Sequence, residues 1–454
     1  MTAPAARPEP PAPSRGVPLT GADCFLRAFD HEVRRTAGAS HLSQLVLRLG
    51  PGFDVERFRE LLAGVAAAQP QLRAPIRRPW GVLPPAYRFD LAERAALPRF
   101  ALHEAPAGAA DALAPVLFER LNGTLNGARG ELLRCDAVRY DGGRAGTDLA
   151  FTWLHMLFDG SGSERFVRWL DEVGAGKRAA SQLPDEAPPK RPETPKTAGA
   201  RGQLAQKWML RMREFARRAP HSLAGPLART PQRLDYALLT FPPDETARVV
   251  ARAKKLAGVL TPMLFYLAAS MRAHHAVFRA RGADPGSYVV PLPVNLRVKG
   301  GQGELFGTRI SMLWFQALPE DADDFEKLLG ALKEQRLASI KEGYVEAGSA
   351  AMDFVRFLPR RAYAALARRD FRGELCSFFF AYTDEFLPGM TTFLDAPIEN
   401  AFHAPSVPPS PGSGAIFSLR GGRLNFTHVR QAGVFRDGER EIFERALRAD
   451  LLGV

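Results

Sequence analysis

The chain has 454 residues, 46% hydrophobic and 24% charged, the balance of a globular protein long enough for two sizeable cores. No apolar run reaches the ~18 residues of a membrane span. Its three cysteines, Cys24, Cys135 and Cys376, lie far apart with no C-x-x-C, so neither a disulfide framework nor a zinc site is indicated and a reducing cytoplasm is the expected setting. The net charge of +12, carried mainly by arginine, suits an anionic partner such as coenzyme phosphates, an acidic protein, anionic lipid or nucleic acid, or reflects the arginine usage of a GC-rich genome.

In chain order, residues 1–16 form a proline-rich stretch without an apolar core, expected as a disordered tail rather than a signal peptide. A first lobe is expected over residues 17–182. It opens with the strand-like LSQLVLRL, Leu42 to Leu49, and the helix FDVERFRELLAGVAAAQ, where Val55, Phe58, Leu62 and Val65 share a face behind an Asp54 N-cap. ELLRCDAVRY and TDLAFTWLHM are further strands. Residues 183–229 hold the five prolines of LPDEAPPKRPETP, read as an extended linker, and a basic helix. In that helix Trp208, Met212 and Phe215 fall near one face, suited either to packing between lobes or to peripheral contact with an anionic membrane.

A second lobe is expected over residues 230–454. It begins with the strand QRLDYALLTF and the helices DETARVVARAKKLAGV and TPMLFYLAASMRAHHAVFRARG. The strands SYVVPLPVNLR and RISMLWFQAL, a helix from about Asp323 to Lys341 and the strand CSFFFAYTDEF follow. The hairpin AIFSLRGGRLNFTHV turns at Gly421 and Gly422, and GEREIFERALRADLL is the closing helix. His274 and His275 read as structural, and the run Gly300 to Gly303 as a hairpin loop. Helices and strands mix in both halves, which predicts a mixed α/β (α+β) class.

One stretch, FTWLHMLFDGSGSERFVRWL, carries the chemistry. If TDLAFTWLHM is a strand, Phe151, Trp153 and His155 alternate to one side and His155 ends it. Asp159 and Gly160 fall in the turn beyond. SGSE, Ser161 to Glu164, reads as a capping box opening the next helix, whose apolar face includes Phe166, Leu170 and Val173. A histidine at a strand end beside a helix start is held rigidly yet remains reachable.

HMLFDG resembles the H-x-x-x-D-G signature of the chloramphenicol acetyltransferase-like superfamily, which includes condensation domains and wax ester synthase-like acyltransferases. VPLTGADCFLRAF is similar to that group's opening segment, AAAQPQLRAPI to the end of its first helix, and VPLPVNLR and FGTRISMLWFQALP to its second-lobe strands. The sequence departs from parts of the group: Leu154 stands where many members have a second histidine, Thr261, Pro262 and Met263 where an Asn-Asp pair is common, Gly307 and Thr308 where Gly-Asn is common, and the plant-type D-F-G-W-G is absent.

The resemblance implies two similar lobes with a tunnel between them, a thioester arriving from one side and an acceptor from the other. It implies an acyltransferase that moves an acyl group from acyl-CoA or an acyl carrier protein to a small-molecule alcohol, giving an ester, with amide formation on an amine as the alternative and a catalytically degenerate docking module as the non-enzyme reading. The thioester is a co-substrate; no bound cofactor, no metal and no nucleic acid partner is expected. The acceptor must lose a proton as it attacks, and a neutral imidazole titrating near 6.5 suits that task. His155 is the expected base, with no G-x-S-x-G nucleophile elbow present. Asp159 is expected to pair with Arg297 and shape the loop, and Gly160 to keep the tunnel open. Asn295, Thr308 and Ser311 are the candidate donors for a tetrahedral oxyanion, Asn295 also as structural support.

Overall fold

Two β-sheets with helices packed on them organise the chain in the computed structural model, which describes residues 16–78, 83–109, 112–184, 197–225, 233–297 and 305–454. The N-terminal tail up to residue 15, the linker from residue 185 to 195 and the glycine run 300–303 lie outside the described residues.

The first sheet has six strands, in spatial order Thr392–Phe393, Ala396–His403, Leu42–Leu49, Thr147–Leu154, Leu133–Tyr140 and Arg99–Ala105. All neighbours are antiparallel except the last two, which run parallel. Thr147–Leu154 has a partner on each side and every one of its residues is buried, which accounts for its near-continuous apolar run. Phe58, Phe151, Trp153, Phe166 and Trp169 fill the core between this sheet and the helices Val55–Ala68 and Gly160–Gly174. Asp54 caps the former, accepting the Arg57 N–H at 3.0 Å. Two of the six strands come from the second half of the sequence, so a break at the proline-rich segment does not divide the sheets.

The second sheet orders Phe379–Glu385, Ser413–Arg420, Arg423–Gln431 and Leu234–Phe241. Its hairpin turns at Gly421 and Gly422, with φ of 55° and 73°, the positive pair that a tight two-residue turn requires. The helices Pro243–Ala257, Pro262–Ala280 and Glu439–Leu452 bury Phe265, Tyr266, Phe417 and Phe443 beneath it. His274 is buried here, bonded to Ser270 O and Ser413 Oγ, and His275 bonds Tyr288 and Asp323.

Tyr288–Asn295 and Ile310–Ala317 form a separate antiparallel pair. The Leu296 N–H donates to Arg309 O at 2.8 Å, so the even-numbered N–H groups of the first strand point to its partner and the odd-numbered ones away. On that outer edge Val289 still bonds Ser377 in both directions, through its own N–H and its carbonyl. The next two odd positions are Pro291 and Pro293, which have no N–H to give. Pairing stops there, and this strand parts from Phe379–Glu385.

A helical layer completes the molecule. Ala198–Phe215, the basic helix, buries Ala205, Met212 and Phe215 and packs beside Tyr344–Val355, which in turn lies against Gly21–Ala37. Met209 and Leu210 stay exposed. Among the described residues, no single helix is long and apolar enough to cross a membrane.

Candidate functional site

The central strand of the first sheet ends at Leu154, and His155 follows immediately, its N–H donating to His41 O at 3.1 Å. His155 is therefore fixed by the residue just ahead of the neighbouring strand Leu42–Leu49, although it lies one residue past its own strand. Beyond it the helix Gly160–Gly174 is capped by Asp159, whose Oδ1 accepts the Gly162 N–H at 2.8 Å. This corrects the expected capping box at Ser161 to Glu164. The aspartate already meets the helix N-terminus two residues earlier, and Glu164 instead accepts the Leu387 N–H at 2.8 Å, its carboxyl pushed up to about 7 by burial.

Asp159 also receives the second lobe. Arg297 Nη1 lies 2.6 Å from its Oδ1, the Arg309 N–H donates to Oδ2 at 2.7 Å, and Arg297 Nη2 reaches Gly307 O at 3.2 Å. Both charged side chains are less than 5% exposed. Burial alone raises the Asp159 carboxyl, but the Arg297 guanidinium and the N–H groups of Arg309 and Gly162 hold it below its ordinary value. The Gly307 N–H bonds Leu157 O at 2.7 Å, so the loop carrying the motif is laced to the second lobe along its length.

His155 opens on a cavity of about 230 Å³ lined from both lobes. His41, Gly160 and His403 stand on one side, Pro291, Pro293 and Tyr382 on the other, where the two strands part. The His155 Nδ1 is buried and makes no hydrogen bond of good geometry. Burial lowers the pKa of the ring; its own backbone, that of Phe158 and the Asp159 carboxylate oppose the shift without cancelling it. His155 is thus neutral near pH 7, as a base must be. A second, largely apolar cavity of about 150 Å³ adjoins the first, with Phe25, Phe29, Met312 and Phe379 as shared walls and Trp208, Met212 and Trp314 deeper in.

The remaining expected residues divide. Asn295 lines the histidine cavity, its Nδ2 donating to Ser161 Oγ at 2.9 Å and its Oδ1 accepting the Arg297 N–H at 2.9 Å, so its amide ties the lobes together. Ser311 is turned away. Ile310 and Met312 face the cavity, so alternation sends Ser311 to the opposite face, where its hydroxyl donates to Val345 O at 2.6 Å. The Thr308 N–H donates to the buried Asp23 at 2.8 Å, outside this cavity. Neither residue lines the histidine cavity.

Gly160 has room. A Cβ built on it meets His403 Cε1 at 3.5 Å, an ordinary contact, and its φ is not positive. The glycine that the ion pair needs is Gly162, where a Cβ would lie 2.9 Å from Leu305 O and 3.2 Å from both Arg297 Nη2 and Asp159 Oδ1.

Two histidines of the cavity escaped the sequence reading. The His41 ring stacks on His155, centroids 5.2 Å apart and planes 18° apart, and its Nδ1 lies 2.9 Å from Ser406 Oγ. His403 places Nε2 3.0 Å from Ser163 Oγ, and burial drives its pKa down to about 3. Neither sits in a recognisable motif. The one available signal was that His41 directly precedes the strand-like LSQLVLRL.

No protein-family model and no curated protein matches the chain. Solved structures do match it. They include the first condensation domain of the CDA synthetase, at 15% identity and a TM-score of 0.67 over 96% of each chain. The TRI3 trichothecene 15-O-acetyltransferase from Fusarium sporotrichioides matches at 10% identity and a TM-score of 0.67, over 96% of this chain and 95% of that one. The condensation domain from the Monacolin K polyketide synthase MokA matches at 14% identity and a TM-score of 0.61, over 97% and 98%.

Proposed function

On the condensation-domain, chloramphenicol acetyltransferase-like fold that this chain has over almost its whole length, we propose that it transfers an acyl group from a thioester, borne by coenzyme A or by a carrier protein, to an alcohol. One observation carries this reading: a neutral imidazole opens on a cavity between two lobes, on a loop locked by a buried ion pair. A thioester needs no activating nucleophile, whereas the acceptor hydroxyl needs a base. His155 Nε2 takes the hydroxyl proton as the oxygen attacks the thioester carbon; the tetrahedral intermediate collapses, the C–S bond breaks and the proton passes to the leaving thiolate. Such a base typically contributes 10²–10⁴ in rate.

The apolar side cavity suits the acyl chain. The half-exposed Phe354 lines this cavity, and nearby Arg356 lies over the exposed Phe357 ring at 5.0 Å, a setting for an anionic, partly apolar donor. Formation of an amide on an amine is the second reading, favoured by the likeness to condensation domains. The test is to incubate the purified protein with acyl-CoA and acyl-carrier thioesters, each with alcohols and with amines, and to identify products by mass spectrometry. An ester that depends on His155 is the expected result; products formed equally by the His155→Ala variant overturn the proposal.

A further inference from the structure

With Ser311 and Thr308 outside the cavity lining, the group that meets the developing negative charge lies elsewhere, and the hydrogen bonds around His41 single it out. A serine hydroxyl has one hydrogen to give and two lone pairs. Ser406 Oγ accepts the Leu42 N–H at 2.9 Å, and the acceptor in reach of its own hydrogen is His41 Nδ1, also at 2.9 Å. Were Nδ1 protonated instead, the hydroxyl hydrogen would have no acceptor among the described residues. His41 Nδ1 is therefore the bare nitrogen and Nε2 carries the proton.

His41 Nε2 has no hydrogen-bond partner among the described residues, yet it is not sealed off by the protein, and the ring lines the cavity beside His155. Burial and the neighbouring His155 keep the ring uncharged. The ring is rigidly placed: the His41 N–H is held by Asp30 Oδ1 at 3.0 Å, its carbonyl by the His155 N–H, and Phe29 packs edge-on against it.

His403 bears the opposite relation. The Ser163 hydroxyl hydrogen goes to Gly160 O at 2.7 Å, so Ser163 Oγ accepts from His403 Nε2, and the nitrogen left over, Nδ1, is an acceptor. Of the two histidines flanking His155, His41 alone offers an N–H.

We propose that the His41 Nε2–H is the donor that binds the thioester carbonyl oxygen as it becomes an oxyanion, while His155 removes the proton of the acceptor. This rests on the acyl-transfer reading above. With ring centroids 5.2 Å apart, base and donor stand side by side at the cavity, where two oxygens of one tetrahedral carbon would each need a nitrogen at about 2.7–3.1 Å. As the acceptor oxygen bonds to the carbonyl carbon, the C=O electron pair moves onto the oxygen facing His41; it returns when the C–S bond breaks. A neutral N–H fixed before the reaction need not reorient as charge develops.

The test has two arms. In protein labelled with ¹⁵N-histidine, two-bond ¹⁵N–¹H correlations report the ring tautomers without any substrate. His41 should be the Nε2–H form between pH 5 and 8, and an Nδ1–H form overturns the proposal. In the second arm, octanoyl-pantetheine with a ¹³C-carbonyl is the probe. Binding to wild-type protein should shift its C=O stretch to lower frequency. The shift should vanish in His41→Leu and persist in His41→Gln, whose amide N–H reaches the same place. With 1-octanol as acceptor, His41→Leu should lose 10²–10³ in kcat at nearly constant KM, and His41→Gln should stay within about tenfold of wild type. A carbonyl shift unaffected in His41→Leu overturns the donor role and leaves the acyl-transfer reading intact. If the wild-type protein neither binds nor turns over the probe, the acyl-transfer reading fails for this donor, and the donor role falls with it.

Discussion

The Arg297 guanidinium lies 2.6 Å from the Asp159 carboxylate across 138 positions of sequence, with both side chains buried. Removing one member strands the other charge. Asp159→Asn and Arg297→Gln should therefore each cost about 3–5 kcal/mol in denaturant unfolding. The double variant should show a coupling above about 1 kcal/mol. Strict additivity would contradict the contact.

His155→Ala should reduce acyl transfer at least ~10²-fold while the melting temperature changes little, since the ring opens on a cavity rather than filling a core. Because burial lowers the pKa of this ring below 6.5, the acid limb of the kcat/KM profile should have its midpoint below pH 6.5. A half-maximal rate above pH 7 would assign the base elsewhere.

Stability should fall as the solution is acidified, in two stages. His41 and His428 are held far below 6.5, His274 is lowered to about 4 and His403 to about 3, burial being the leading cause in each. Below about pH 6.5 the unfolded chain takes up protons that the folded one refuses, so unfolding becomes easier as pH drops. Asp159 acts lower down. Its folded pKa is depressed, so its contribution is present above the unfolded value near ~3.9 and is lost as pH falls through the folded one. Urea midpoints at pH 7, 5.5 and 4.5 check the first stage, where a flat series is the contrary outcome. The same measurement on Asp159→Asn below pH 4 checks the second.

The two glycines of the motif helix should behave differently. Gly160→Ala should be tolerated, because its Cβ meets only His403 at 3.5 Å. Gly160→Val should leave the fold intact and impair binding of an acyl-pantetheine in the histidine cavity. Gly162→Ala, normally stabilising in a helix, should instead destabilise and loosen the ion pair, because its Cβ meets the Leu305 carbonyl at 2.9 Å. Thermal melts and binding titrations of the three variants separate the cases.

What the sequence disclosed follows from which signals are local. Asp159 and Arg297 could be paired on paper because each is a charge inside an apolar segment, and a buried charge calls for its opposite. The hairpin at Gly421 and Gly422 was legible for the same kind of reason, since its turn needs two positive φ angles. The capping register was misjudged because both Asp159 and Ser161 are good caps, and only the backbone decides which meets the free N–H groups. Ser311 was misassigned because its orientation depends on the register of Ile310 against Asn295, which no local pattern fixes. His41 and His403 were invisible as a set: they come from segments 362 positions apart, brought together when Ala401 pairs with Leu47. The strand Ala396–His403, with Glu399 and Asn400 in it, gives too weak an alternation to announce a place in the first sheet.

Pro291 and Pro293 have a consequence beyond ending a ladder. A gap between strands ordinarily leaves bare N–H groups along its rim, each asking for water or a side chain. Here the rim of Tyr288–Asn295 offers carbonyls but no N–H at the two places where the strands part. Without those donors this strand cannot complete a ladder with Phe379–Glu385. The width of the cavity is thus written into the main chain, while the side chains around it stay free to change with the substrate. A shift in acyl or acceptor preference can therefore come through residues such as Met312 or Tyr382 without threatening the opening itself, whereas replacing either proline with a residue that bears an N–H would restore the means to close it.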